Sequence, residues 1–193
     1  NGESVVNGSV LVHNVNHHYL SNDLESDQQL KPTGNITIIN DEADIEVKAG
    51  AALTAQNITL QATNAPYKVF ISGGTLTATS SAADAGVVTL QGNAVELNSG
   101  AINAKTTNLT ANARITENAG FALVTPVLNT STAGVTTLDS TSNQLEQINI
   151  DRAGGAITIG SANRSNANAL VIKSEPLAVD LKVTNYKDGS SNN

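Results

Sequence analysis

The chain has no cysteine, tryptophan or methionine, and its aromatic complement is three tyrosines and two phenylalanines in 193 residues. Without cysteine there is neither a disulfide scaffold nor a thiolate metal centre. Without large aromatics, a core has to be made of Val, Ile, Leu and Ala, which suits thin, repetitive β layers better than a compact enzyme interior. Charge is also scarce, at 14% of residues, well below what the outward faces of a helical protein carry. Solubility therefore falls to Asn, Thr, Ser and Gln. No apolar run reaches the roughly 20 residues that span a bilayer as a helix, and no membrane insertion is expected. The ten basic residues are scattered and not interleaved with aromatics, so there is no footprint for the phosphates of a nucleic acid and little attraction to anionic membrane surfaces.

The net charge of −7 is unevenly placed. Residues 1–50 hold eight acids against two lysines, whereas the remainder holds nine acids against eight bases. Asn1 begins neither with methionine nor with a signal sequence, so the chain reads as a processed product or a piece of something longer. The length suits one substantial domain.

Helical periodicity is nearly absent. "SNDLESDQQL" (21–30) and "TSNQLEQINI" (141–150) have a weak 3.6-residue pattern, but both are polar and rich in turn-forming residues, and they read as loops. What is present is a long series of short alternating segments: "NITIIN" (35–40), "ADIEVKAG" (43–50), "NITLQA" (57–62), "GVVTLQG" (86–92), "RITENAG" (114–120), "GGAITIG" (154–160) and others like them. Each is bounded by Gly, Asn, Ser or Asp, as half-buried strands ended by turns are.

Spacing adds to pattern. Val88, Val95, Ile102, Leu109, Ile115 and Ala122 recur six or seven residues apart and are expected to face inward. Val88 with Leu109, Val95 with Ile115 and Ile102 with Ala122 are then 20 or 21 apart, so three short strands make a repeat of about 20 residues. A unit that short buries its apolar face only by stacking on its neighbours. Three strands per turn, with coils about 4.8 Å apart, give an all-β parallel β-helix (solenoid). The competing architecture is an antiparallel β-sandwich, which needs hairpin turns between longer strands; only "VVNGSV" (5–10) and "KDGS" (187–190) resemble them. The expected organisation is an acidic N-terminal cap or loop-rich coil over 1–33, β-helix repeats over 34–185 and a tail over 186–193. Residues 14–33, 139–147 and 160–168 break the rhythm and read as loops leaving the solenoid.

The runs "LNTSTAGVTTLDSTSNQLEQINIDRAGGAITIGS" (128–161) and "ISGGTLTATSSAADAGVVTLQGNAVELNSGAINAKT" (71–106) resemble the passenger repeats of filamentous-haemagglutinin-like exoproteins, large bacterial proteins secreted through the two-partner pathway. The resemblance is one of repeat composition, and the Asn-Pro-Asn motifs of that family's secretion domain are missing here. It implies a right-handed β-helix, a secreted or cell-surface location, and a role as an adhesin or the stalk that presents one. The implied partners are receptors or glycans on host or neighbouring cells and, for the full-length protein, an outer-membrane secretion partner.

Candidate sites are few, and no cofactor is implied. The densest charge is "DEADIEVK" (41–48), where Asp41, Asp44 and Glu46 are weak calcium candidates or paired carboxylates for a polysaccharide lyase or glycoside hydrolase. The same residues read more simply as a solvated strand face compensated by Lys48. His13, His17 and His18 have metal-binding chemistry, but adjacent histidines on a strand point to opposite faces. Asn-X-Ser/Thr sequons occur at Asn7, Asn35, Asn57, Asn108, Asn129 and Asn163. No Gly-X-Ser-X-Gly elbow, phosphate loop or dinucleotide fingerprint is present. Loops on a rigid scaffold are where specificity sits, which makes Asn163, Arg164 and Asn166 the loop candidates for partner binding.

Overall fold

A computed structural model describes residues 9–14, 29–30, 32–79, 86–162, 170–174, 178–187 and 190–192. Among them there is no helix, and seventeen strands join in one continuous sheet that coils on itself. Every pairing between strands is parallel except the last, where Leu181–Lys187 meets Ser190–Asn192 antiparallel. The fold is a β-solenoid of about six turns, roughly 22 residues each. Three stacked sheets form its walls. The β-sandwich alternative is thereby excluded.

The first wall stacks Val10–Asn14, Ile36–Asn40, Asn57–Ala62, residues 87–92, residues 106–111, Val127–Thr132, Gln147–Ala153 and Val171–Ser174. The second stacks Ile45–Lys48, residues 69–72, residues 94–97, residues 114–117, Val135–Leu138, Ile157–Ala162 and Leu181–Lys187. Gln29–Leu30, Ala52–Ala55, residues 75–78, residues 101–103 and Phe121–Val124 make the third. Stacking thus already includes residues 10–14, within the segment expected to be a cap or loop-rich coil.

Period-two alternation explains the interior. In the first wall Ile36, Ile58, Val88, Thr107, Leu128 and Ile148 superpose from coil to coil and are all buried. The column two residues on reads Ile38, Leu60, Leu90, Leu109, Thr130 and Ile150. Branched side chains of similar volume fill such a column without voids, and each strand pairs its backbone with the coils above and below. Where a column reaches the end of the described stack, its side chain loses its cover: Val12, Ile172 and Leu181 stand on interior columns and are exposed.

The expected spacing holds for Val95 and Ile115, which pair directly. Two of its details change. Val88 stacks on Thr107, and Leu109 stacks on Leu90. Ala122 faces outward over Ala101, because Phe121 and Leu123 on either side of it are the larger apolar groups and both are fully buried. The step between coils in the first wall varies from 19 residues to 30, so corners absorb insertions while walls keep register. Residues 139–147 also do not leave the solenoid. Gln144 bridges to Val124, and Asn143 and Leu145 are buried, so this segment is an irregular continuation of the third wall.

Glycine is required where corners stack most closely. A Cβ on Gly134 would overlap the carbonyl oxygen of Ala113, and one on Gly154 would overlap that of Ala133. Backbone therefore rests on backbone at this corner through successive coils.

Candidate functional site: a groove on the second wall

Two outward columns of the second wall carry most of its chemistry. One places Glu46, Phe70, Glu96 and Thr116 above one another, and its neighbour holds Lys68 and Arg114. Asp44 precedes Ile45 and uses its carboxylate to fix the next coil, its Oδ1 accepting the Lys68 backbone N–H at 2.9 Å. Lys68 returns the connection through its own carbonyl, which accepts from Ile45 N at 2.9 Å.

Glu96 lies between two cations. The Lys68 ammonium lies 2.8 Å from Glu96 Oε2, and the Arg114 guanidinium donates to Oε1. Burial pushes the Glu96 carboxyl up, but the hydrogen bonds and charges of Lys68 and Arg114 outweigh it and hold the group below the ordinary carboxylate range. Lys68 also sits 4.7 Å from the centroid of the Phe70 ring, so one ammonium serves both a carboxylate and an aromatic face.

A groove of about 700 Å³ opens beside this network. It is lined by Glu42, Asp44 and Glu46 from one coil and by Pro66, Tyr67, Lys68 and Phe70 from the next. Glu46 accepts a hydrogen bond from the Ser72 hydroxyl of the next coil. Asp41 accepts from the Thr63 hydroxyl at 2.6 Å. The three acids singled out from the sequence are thus turned to three different partners, and no set of three His, Cys, Asp or Glu side chains among the described residues is gathered as a metal site. Asp44 and Glu46 border the groove; Asp41 does not.

A second polar cluster lies inside the solenoid. Glu117 occupies an interior column, stacked on Leu97, and is buried. Its Oε2 accepts the Ser140 backbone N–H at 3.0 Å and the Asn143 Nδ2 at 2.7 Å, while its buried Oε1 has no hydrogen-bond partner. Burial raises this carboxyl to about 7; the bonds from Asn143 and Ser140 oppose that rise, and Asp139 adds to it. Asn143 in turn holds Leu123 N at 2.9 Å, so the cluster ties the second and third walls together.

The sequon asparagines of the first wall form ladders. Asn149 Nδ2 donates to Asn129 Oδ1 at 2.6 Å, Asn129 Nδ2 to Asn108 Oδ1 at 2.6 Å, and Asn108 Nδ2 to Thr89 Oγ1 at 3.2 Å. Asn57 Nδ2 donates to Asn35 Oδ1 at 3.1 Å and accepts from Val87 N at 3.0 Å. At Asn57, Asn108 and Asn129 the nitrogen that a glycan would modify is therefore already used between coils. His13 lies in the edge strand of the first wall. Asn7, His17, His18, Asn163, Arg164 and Asn166 fall outside the described residues.

Sequence reasoning missed Tyr67, Phe70, Glu96 and Arg114 as members of one site. They come from coils offset by 24, 26 and 20 residues in this wall, offsets that a uniform repeat of about 20 does not bring into line. Compared with family models, curated proteins and solved structures, the chain matches none of them.

Proposed function

We propose that this chain is a segment of a bacterial cell-surface or secreted adhesin, acting as a rigid β-solenoidal stalk that also presents a binding surface to receptors or glycans on other cells. The observation that carries the reading is the in-register stack with polar ladders on its outside. Asn and Thr side chains repeat at the coil spacing and bond along the axis, which favours stiffness and leaves a broad, weakly charged contact surface. The resemblance of the repeats to filamentous-haemagglutinin-like passengers supports the same role, with export through an outer-membrane partner. Labelled chain incubated with cultured epithelial cells and with bacterial cells tests it. Saturable binding above that of an unrelated β-solenoid of equal net charge is expected, and binding equal to that control on every cell type overturns the adhesive role.

One observation favours a second reading, a polysaccharide lyase or glycoside hydrolase. Glu46 and Glu96 flank Phe70 two coil steps apart, roughly 10 Å, close to the carboxylate separation of inverting glycosidases. Such an enzyme needs one of the pair protonated near neutrality, yet Glu96 is held ionised by Lys68 and Arg114. The carboxyl that is raised, Glu117, lies inside the solenoid. Binding without cleavage is the reading the electrostatics support.

A further inference from the structure

We infer that the groove lined by Asp44 and Glu46 from one coil and by Tyr67 and Phe70 from the next is a saccharide-binding site, selective for uncharged sugars such as hexoses and N-acetylhexosamines. The inference deepens the adhesin reading and rests on it for its biological sense. The groove combines what a pyranose needs: an apolar patch for the ring's C–H face, and carboxylate oxygens to accept its hydroxyls. Asp44 and Glu46 each spend one oxygen on the bonds to Lys68 N and Ser72 Oγ, which fixes their orientation and leaves a second oxygen to offer. Tyr67 is anchored through its backbone, N–H to Asn64 O at 3.0 Å and carbonyl to Asn93 N at 2.8 Å, so the rim is set before a ligand arrives.

Charge selects among glycans. Asp44 and Glu46 line the groove with one lysine, and that lysine is bound to Glu96. Sialylated, uronic or sulfated chains would be repelled by the Asp44 and Glu46 carboxylates. A basic peptide fits less well than a sugar, because the Phe70 ring already has the Lys68 ammonium 4.7 Å from its centroid. A second cation there would be repelled by the first.

The test uses the full 193-residue chain and saturation-transfer NMR with four probes: cellotetraose, triacetylchitotriose, tetragalacturonate and tetralysine. Saturable binding of at least one neutral oligosaccharide is expected, with affinity falling about tenfold in Tyr67→Ala and in Phe70→Leu. Glu46→Gln is expected to weaken the neutral sugar and to relieve the exclusion of tetragalacturonate. Phe70 faces outward, whereas Tyr67 is half-buried and also packs against the core, so circular dichroism spectra and thermal melts matching those of the wild type verify that the variants fold. Absence of binding by both neutral probes overturns the proposal, as does neutral binding unchanged in both aromatic variants. Binding of tetralysine alone overturns it in favour of a cationic peptide. Cell binding that survives Tyr67→Ala and Phe70→Leu overturns this site while leaving the adhesin reading standing; loss of cell binding in those variants supports both.

Discussion

Glu117 makes stability depend on pH in a window where most proteins are indifferent to it. Its carboxyl binds a proton with a pKa of about 7 in the folded chain against the ordinary 4.5, and each tenfold difference in proton affinity is worth about 1.4 kcal/mol. Ionising it therefore costs the folded state about 3 kcal/mol. A raised carboxyl contributes no penalty below pH 4.5, where both states are protonated. Between pH 4.5 and 7 the unfolded chain has released the proton and the folded chain still holds it, so stability falls as pH rises. Above 7 both are ionised and the loss is complete. Glu117→Gln keeps an oxygen for Ser140 N and Asn143 Nδ2 and carries no charge. Urea unfolding of wild type and variant at pH 4.5, 6 and 8 should show a small difference at pH 4.5 that grows in the variant's favour to about 3 kcal/mol at pH 8. Glu117→Leu, matched to Leu97 and Leu138 in its column, should lose the pH slope too, yet be less stable than Gln because two buried donors lose their acceptor. Glu96 does not blur the result: its carboxyl is lowered, so its contribution is present above 4.5 and fades only in more acid solution. A Gln-minus-wild-type difference that stays constant from pH 4.5 to 8 would refute the reasoning.

Other consequences follow from the stacking. Gly134→Ala should cost about 3 kcal/mol or prevent folding, since its Cβ would overlap Ala113 O, whereas Gly120→Ala, with nothing within 4 Å of its Cβ, should stay within about 0.5 kcal/mol of wild type; thermal melts separate the two. Asn129→Ala removes two side-chain bonds from the middle of its ladder and should lower urea stability by about 1–2 kcal/mol, while Asn35→Ala, which removes the single Asn57–Asn35 side-chain bond, should cost less. Lys68→Met should raise the Glu96 carboxyl by leaving desolvation opposed by Arg114 alone, read from the carboxyl carbon shift across an acid titration.

Much of the fold was legible because the walls obey a simple rule. In "NITIIN" and "NITLQA" the alternation fixes which side chains enter the core, and Ile36, Ile38, Ile58 and Leu60 are indeed buried. Coil-to-coil partners were less legible. Register is set by the residues each corner consumes, and corners tolerate length changes at little cost; hence the misassigned Val88 and Ala122. The turn over 139–147 was misread for a related reason: its buried members include Asn143 and Ser140, polar residues whose satisfaction inside the solenoid depends on Glu117 from the coil before. No local pattern announces that partnership.

Glu117 itself was within reach. In "RITENAG" a strand that turns Ile115 inward must turn Glu117 inward as well, because the side-chain period is two. A charged group on an interior column is a contradiction that the sequence states openly, and it resolves in only two ways: the strand ends before it, or the interior becomes polar there. Here the interior becomes polar. Thr107, Thr130, Thr132 and Thr136 are all buried in the same coils, and Asn143 and the Ser140 amide supply the donors. The outer groove has no such internal cue. Asp44 and Glu46 resemble any solvated strand face until Tyr67 and Phe70, one coil later, are brought against them. A site assembled across coils becomes readable only when corner lengths are known, which is why the acids were visible in the sequence while the aromatic side of their groove was not.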